Sequence, residues 1–437
     1  MAASDRVLGG ADTFALTIDA WSRARGGRGF VCQAVVALDG HLDPQLLETS
    51  LARVREQFPE LACEVRRRWP LGLPTWRSHG GEHGGVTFDV HDAEEAWSET
   101  GPTQDLLEAQ LRQGLRVRGG DPLLRYRLVH LPDGGSLLAI AFQHVLTDAT
   151  GLERLLGWQA ALQPAPPVRV PPPDPGPGGV QELQDRGLSA QRFLPLVDTF
   201  RAHPPKELQP AGPLGEVRTW RLTLDDLQSQ AVSAAMRADG AAMNPSGWLL
   251  GHCVQLLHGL AEDRGCPPQG YLVPVAMGLR RKGDHRPDLA NRMGFLFVHL
   301  RADELASVAG MAKRVRRQTM EQLGSDIPST MADAMYFARR LPPAWVGRAM
   351  NTAIKGSFAS FYFGYTGEVT PALDTFLGHR VQNLLHFPTL PAPPGLACIF
   401  NRFQGRLNAC LSWQDGMLSD PELARLQDGL RERLGVA

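Results

Sequence analysis

Apolar residues fall on one helical face at Leu47, Leu51, Val54 and Phe58, in a stretch that opens with Asp43 and Pro44. That spacing predicts an amphipathic helix over 42–58, with Asp43 as its cap and Pro44 in its first turn. Just before it, "GFVCQAVVALDG" (29–40) gathers β-branched and apolar residues up to a turn signal, which predicts a strand. The alternation continues with a helical pattern in "QDLLEAQLRQGL" (104–115). "LLRYRLVHL" (123–131) and "SLLAIAFQHVL" (136–146) flank Pro-Asp-Gly-Gly, which predicts an antiparallel hairpin. "GLERLLGWQAAL" (151–162) returns to a helix.

Beyond residue 215 the pattern repeats. Strands are predicted at 216–224, 271–277, 294–300, 360–369 and 407–413. Helices are predicted at 225–240, with an acidic start and a glycine stop, and at 244–265, with Asn244 as cap, Pro245 in the first turn and Gly265 past the end. Two more follow at 303–323 and 420–434. No short-period repeat interrupts this order. Between the halves lies "QPAPPVRVPPPDPGPGG" (163–179), whose eight prolines cannot donate to a hydrogen-bond ladder. The expected organisation is therefore an N-terminal lobe at 1–163, a stiff linker at 164–179 and a C-terminal lobe at 180–437. Each lobe is an α/β unit in which helices cover a mixed β-sheet.

Composition narrows the class. In 437 residues, 43% hydrophobic content supports sizeable cores, and a net charge of −1 argues against nucleic acid as the main partner. Basic clusters occur in "EVRRRW" and "GLRRKGDHR"; they read as solvated loop ends, or as a patch for a pantetheine phosphate, a carrier protein or a membrane surface. Cys32, Cys63, Cys253, Cys266, Cys398 and Cys410 form no CxxC pair and read as reduced, mostly buried thiols. The N-terminus lacks a signal-peptide layout, and no apolar run of about 18 residues predicts a membrane span. The expected compartment is the cytoplasm, with peripheral membrane contact left open.

The candidate chemistry sits in "AFQHVLTDATG" (141–151), where a buried strand delivers His144 at its end and Asp148 follows one turn later. A neutral imidazole accepts a proton from a hydroxyl, thiol or amine near neutral pH, so His144 alone can serve a transfer in which the substrate is the nucleophile. Asp148 either orients that ring or pairs with an arginine to fix the turn.

The segment "DPLLRYRLVHLPDGGSLLAIAFQHVLTDATGLERLL" resembles the HxxxD active-site region of the coenzyme A-dependent acyltransferase superfamily. That group includes chloramphenicol acetyltransferase, condensation domains, polyketide-associated acyltransferases and wax ester synthases. "LGGADTFALTIDAW" with 38–68, "VPVAMGLRR" with "LANRMGFLFVHLR", and "FGYTGEV" with "FNRFQGRLNACLSW" are similar to further segments of these enzymes, in the same order. The resemblance implies two chloramphenicol acetyltransferase-like lobes meeting in a cleft or tunnel, with thioester and acceptor entering from opposite faces. It implies His144 as general base and Asp148 as the residue that holds the site together through Arg280, with Arg281 as the alternative. It also implies an acyl thioester of coenzyme A or of a phosphopantetheinyl carrier protein as co-substrate, an alcohol or amine acceptor, and no permanently bound cofactor or metal. Ester formation is favoured by the N-terminal likeness to wax ester synthases. The alternatives are a free-standing amide-forming enzyme, or a silent relative that binds an acyl carrier or partner protein.

The oxyanion of such a reaction needs donors. Backbone groups after Asp148 (Ala149 and Gly151) and the "FGYTG" segment with Tyr365 or Thr366 are candidates. Two positions depart from the pattern: Gln143 stands where many relatives have a first histidine, and Ala149 replaces a glycine whose missing β-carbon permits close approach, although Thr150 and Gly151 follow at once and allow the flexible point of the turn to shift by two residues. Other constellations carry less. His79 and His83 lie among glycines and read as a loop, His252 and His258 point to different helix faces, and Ser246 begins a helix. "GGRGF" reads as a turn, Trp220, Trp248 and Trp413 as packing residues, and no phosphate-loop or dinucleotide fingerprint is present.

Overall fold

The computed structural model describes residues 6–67, 71–79, 85–164, 167, 179–281, 283–369, 373–388 and 394–436. From the N-terminus the elements run β1 (Arg6–Val7), α1 (Gly10–Ala24), β2 (Val31–Leu38), α2 (Pro44–Gln57), β3 (Cys63–Arg66), β4 (Thr75–Ser78), β5 (Val86–Asp92), α3 (Pro102–Gln113), β6 (Leu124–His130), β7 (Ser136–Gln143) and α4 (Ala149–Gln159). They continue as α5 (Val180–Gln191), α6 (Leu194–Ala202), β8 (Val217–Thr223), α7 (Asp226–Ala238), α8 (Pro245–Asp263), β9 (Gly270–Gly278), β10 (Met293–Arg301) and α9 (Val308–Gly324). The chain closes with α10 (Ile327–Ala338), α11 (Pro343–Ile354), β11 (Tyr362–Glu368), β12 (Thr375–Phe376), β13 (His379–Pro388), β14 (Leu396–Phe403), β15 (Arg406–Gln414) and α12 (Asp420–Arg433).

Two six-stranded sheets dominate, in the orders β12-β13-β2-β7-β6-β5 and β10-β9-β11-β14-β15-β8; β1, β4 and β3 form a small third sheet. The β6–β7 hairpin is antiparallel, from Leu124 opposite Phe142 to His130 opposite Ser136. The β7 strand is buried at every position, which explains its unbroken apolar run. Its alternation divides two cores: Leu138, Ile140 and Phe142 enter one, and Leu137, Ala139 and Ala141 the other. Local signals act as the sequence predicts. The Asp43 carboxylate accepts from the Gln45 amide, the Asn244 side chain accepts from the Gly247 amide, and Gly265 ends α8 with φ +67°.

Two features depart from the sequence expectation. First, the segment 180–437 does not stay in one lobe. Strand β13 crosses back and pairs with β2, from Val381 opposite Leu38 to Pro388 opposite Cys32. Its other side meets β14 and β15, where Asn383 and Asn408 exchange hydrogen bonds of 2.9 Å and Asn401 donates to the Leu384 carbonyl at 2.8 Å. The Asn383 and Asn408 amides satisfy one another across the seam, so β13 ties the sheets together through paired polar groups. Second, α1 belongs to the first half in sequence but packs on the second. Phe14, Ile18 and Trp21 share a core with Phe200, Phe297, Met331 and Val346 from α6, β10, α10 and α11. Of the proline-rich linker, only residues 164, 167 and 179 are among those described. Among the described residues, no helix is long and apolar enough to cross a membrane.

Candidate active site

Strand β7 ends with Gln143 opposite Val31 of β2. The chain then turns: the His144 amide donates to the Phe30 carbonyl and the Leu146 amide to the Gln143 carbonyl, both at 2.9 Å. Asp148 caps α4 by accepting from the Gly151 amide at 2.9 Å. The motif is thus a strand end, a tight turn and a helix cap, each closed by its own hydrogen bonds.

The His144 ring stacks on Phe30, with centroids 4.2 Å apart and planes within 6°. Its Nδ1 is sealed from solvent and makes no hydrogen bond. The Nε2 atom has no hydrogen-bond partner among the described residues and is not among the occluded nitrogens of this half-buried residue. Burial pushes the imidazole below its ordinary pKa, against the opposing pull of the Asp148 carboxylate, the residue's own carbonyl and Asn291. Near neutral pH the ring is therefore uncharged.

Behind the ring, Asp148 is held from the second lobe. Arg280, just past β9, reaches both Asp148 oxygens at 2.6 Å and donates to the Ala290 carbonyl at 2.7 Å. The Arg292 amide donates to Asp148 Oδ2 at 2.9 Å. Asp288 lies 3.8 Å from Arg280 Nε and also binds Arg292. Asn291 completes the contact between lobes: its Nδ2 donates to the carbonyls of His144 (2.9 Å) and Val145 (3.1 Å) and lies 3.2 Å from Asp12 Oδ1 of α1. Asn291, Asp12 and Asp288 were not anticipated as site residues. The signal available for the first was "LANRMG", an asparagine at the mouth of an apolar strand.

The structure sorts the other candidates. Arg281 is exposed, so the carboxylate goes to Arg280 alone. Gln143 is fully buried: its Nε2 donates to Asp19 Oδ1 and the Leu115 carbonyl, both at 3.0 Å, and its Oε1 accepts from the Val145 amide at 3.1 Å. No donor remains for a substrate oxygen, and Gln143 serves as a structural anchor. The Gly151 amide is likewise spent on Asp148. Tyr365 packs beside the second-lobe core and Thr366 is exposed; neither contacts His144 or Asp148 among the described residues. Ala149 is the first residue of α4, where a β-carbon is ordinary, and the amides of Ala149 and Thr150 have no acceptor among the described residues. They stand at the positive end of the helix, where developing negative charge is stabilised.

The close approach falls at Gly151, two residues beyond Ala149, the shift that the sequence allows. A β-carbon there would lie 2.8 Å from the Asp288 carbonyl oxygen and 2.9 Å from Arg280 Nη2, and would also strike Thr147 Oγ1. Gly151→Ala is expected to cost about 1–3 kcal/mol through overpacking. A chemical denaturation midpoint equal to wild type would show that the neighbours yield freely.

The remaining constellations serve the fold. His258 Nδ1 meets the Tyr271 hydroxyl at 3.0 Å, whereas His252 sits edge-on to Trp248 and beside Arg433. Ser246 lies in the first turn of α8. His83, Arg68, Trp69 and Lys282 of the basic and glycine-rich clusters lie outside the described residues.

No family model and no curated protein matches this sequence. Solved structures do. The first condensation domain of the CDA synthetase superposes with a TM-score of 0.72 at 16% identity, spanning 99% of this chain and 96% of that one. The trichothecene 15-O-acetyltransferase from Fusarium sporotrichioides gives 0.69 at 12% identity over 98% and 95%. The condensation domain from the Monacolin K polyketide synthase gives 0.63 at 12% over 100% and 97%. The chain has the two-lobed, chloramphenicol acetyltransferase-like fold of these proteins.

Proposed function

We propose that this protein is a condensation-type acyltransferase that moves an acyl group from a thioester to an alcohol, with His144 as general base. One observation carries the proposal: a neutral imidazole whose Nε2 has no hydrogen-bond partner among the described residues stands on a turn that side chains of both halves hold in place. With the proton on Nδ1, Nε2 is the acceptor. The acceptor hydroxyl gives its proton to Nε2 as its oxygen attacks the thioester carbonyl carbon. The resulting oxyanion needs donors, and the amides of Ala149 and Thr150 at the start of α4, which have no acceptor among the described residues, are the ones proposed for it. Collapse breaks the carbon–sulfur bond, and the departing thiolate takes the proton from the imidazolium, leaving an ester and a free thiol. Asp148 and Arg280 do not touch the reacting atoms; they fix the turn that presents the ring. Coenzyme A or a carrier protein would supply the thioester. Release of free thiol from acyl-coenzyme A, dependent on an added alcohol, tests the reaction directly.

The pH profile follows from the ring's surroundings. Only the neutral imidazole works as base, so activity falls as pH drops through its pKa. Because burial holds that pKa below the ordinary value of about 6.5, kcat/KM is expected to stay level down to that pH and to fall only beneath it. An acid limb centred at or above the ordinary imidazole value would contradict a buried base.

A further inference from the structure

The turn between α10 and α11 carries apolar side chains that neither lobe covers. Phe337, Leu341 and Trp345 are 47%, 45% and 66% exposed. Leu71, 44% exposed, belongs to the adjoining loop. Arg67 holds that loop in place, donating to the carbonyls of Gly72 (2.9 Å), Arg340 (3.3 Å) and Leu341 (3.2 Å). Single exposed apolar residues are ordinary, but several around one turn mark an interaction surface.

Charge around this turn is one-sided. Residues 334–367 contain Arg339, Arg340, Arg348 and Lys355 and no acidic residue. Arg118 stands close enough to Arg67 to repel its charge, and Arg348 does the same to Arg25, which Glu207 partly offsets. None of Arg67, Arg118, Arg340 and Arg348 forms an ion pair among the described residues. Apart from Glu207 near Arg25, the rim therefore presents cations, among which Arg118, Arg340 and Arg348 have no ion-pair partner among the described residues. A layer of lipid phosphates presents acceptors only, whereas a protein surface presents both kinds. Trp and Phe beside Arg form the combination that partitions to a bilayer interface.

We propose that the α10–α11 turn docks on an anionic lipid bilayer, with Phe337, Leu341 and Trp345 entering the interface and the arginines meeting lipid phosphates. Helix α10 also borders a cavity that reaches Asn291. Tyr336, next to Phe337, and Ala332 line a cavity of about 260 Å3 together with Asp12, Asn291 and Arg292. Asn291 is the residue that grips the His144 turn. Docking would bring the mouth of this cavity to the lipid, so that a membrane-dissolved acceptor reaches the site without crossing water. That last step rests on the acyl-transfer proposal; docking itself does not.

Flotation of the full chain with vesicles tests it. Wild type is expected to float with vesicles of phosphatidylcholine and phosphatidylglycerol, to be released by salt, and to stay behind with phosphatidylcholine alone. Trp345→Ser with Leu341→Ser should lower the bound fraction several-fold, and Arg340→Glu and Arg348→Glu should each lower it at least roughly fivefold. All four positions are exposed, so folding is preserved. Leu227→Ser with Met243→Ser, at apolar residues 78% and 86% exposed elsewhere, and His144→Ala should float as wild type does. Absence of flotation on anionic vesicles, or equal flotation of the turn variants, would overturn the proposal. Turn variants that bind vesicles normally but fail with a carrier-bound donor would place a protein there and overturn it equally.

Discussion

Replacing His144 by alanine is expected to lower kcat/KM for thiol release by about 10²–10⁴-fold, the contribution of a positioned general base. The fold should survive. The ring is half-buried, and its side chain makes no hydrogen bond that the turn needs, since the turn is closed by backbone bonds to Phe30 and Gln143. What the variant loses structurally is the stack on Phe30, and such a contact contributes about 0.5–1.5 kcal/mol. Activity and stability should therefore separate: turnover collapses while the thermal midpoint moves little. Equal turnover in variant and wild type would remove His144 from the chemistry, and no turnover in either would favour a silent, carrier-binding relative. A variant that unfolds would be replaced by His144→Gln, which keeps an amide over Phe30 but cannot take a proton.

The parts legible in the sequence were those written locally. Helix α2 announces itself through Asp43, Pro44 and the stripe from Leu47 to Val54, and β6–β7 through alternation around Pro-Asp-Gly-Gly. The His144–Asp148 pair was legible because a strand end, a turn and a helix cap occupy consecutive residues. What escaped was set by contacts distant in sequence. Nothing in "HRVQNLLHFP" says that its partner is β2, more than 300 residues earlier, and its pairing there is what divides 180–437 between two sheets. Helices α10 and α11 escaped because prolines at 328, 342 and 343 interrupt the periodic signal, although they stand in first turns and at a cap, where proline fits. Asn291 was visible as a residue but not as a clamp, since its acceptors lie at 144 and 145. The departure at Ala149 was legible as a change, and Gly151 as a place to which the tight point could move, but not the groups that press there. Which β-carbon collides depends on Asp288 and Arg280 arriving from the other lobe, and they press on Gly151.

Arg280→Met is the substitution expected to damage both folding and function. Arg280 and Asp148 have side chains only 5% and 10% exposed, and their oxygens and nitrogens meet at 2.6 Å. Removing the guanidinium leaves a carboxylate in a nearly dry site with only the amides of Gly151 and Arg292 as donors, and frees the Ala290 carbonyl as well. A buried charge stripped of its partner costs about 3–5 kcal/mol, which should appear as a lowered denaturation midpoint. Arg280→Lys should recover part of this, because one ammonium can face the carboxylate but cannot span both oxygens and the Ala290 carbonyl as a planar fork does. The double variant Asp148→Asn with Arg280→Met should be less damaged than the sum of the two single changes, since the second change removes the charge that the first one orphaned. Strict additivity would mean that the pair is not coupled. Activity separates a positioning pair from a proton-transfer pair. If Asp148 and Arg280 act by holding the turn, residual turnover in Arg280→Lys keeps the acid limb of His144 close to its wild-type position. If instead Asp148 shares the proton, its charge no longer fixed, the limb moves with the substitution.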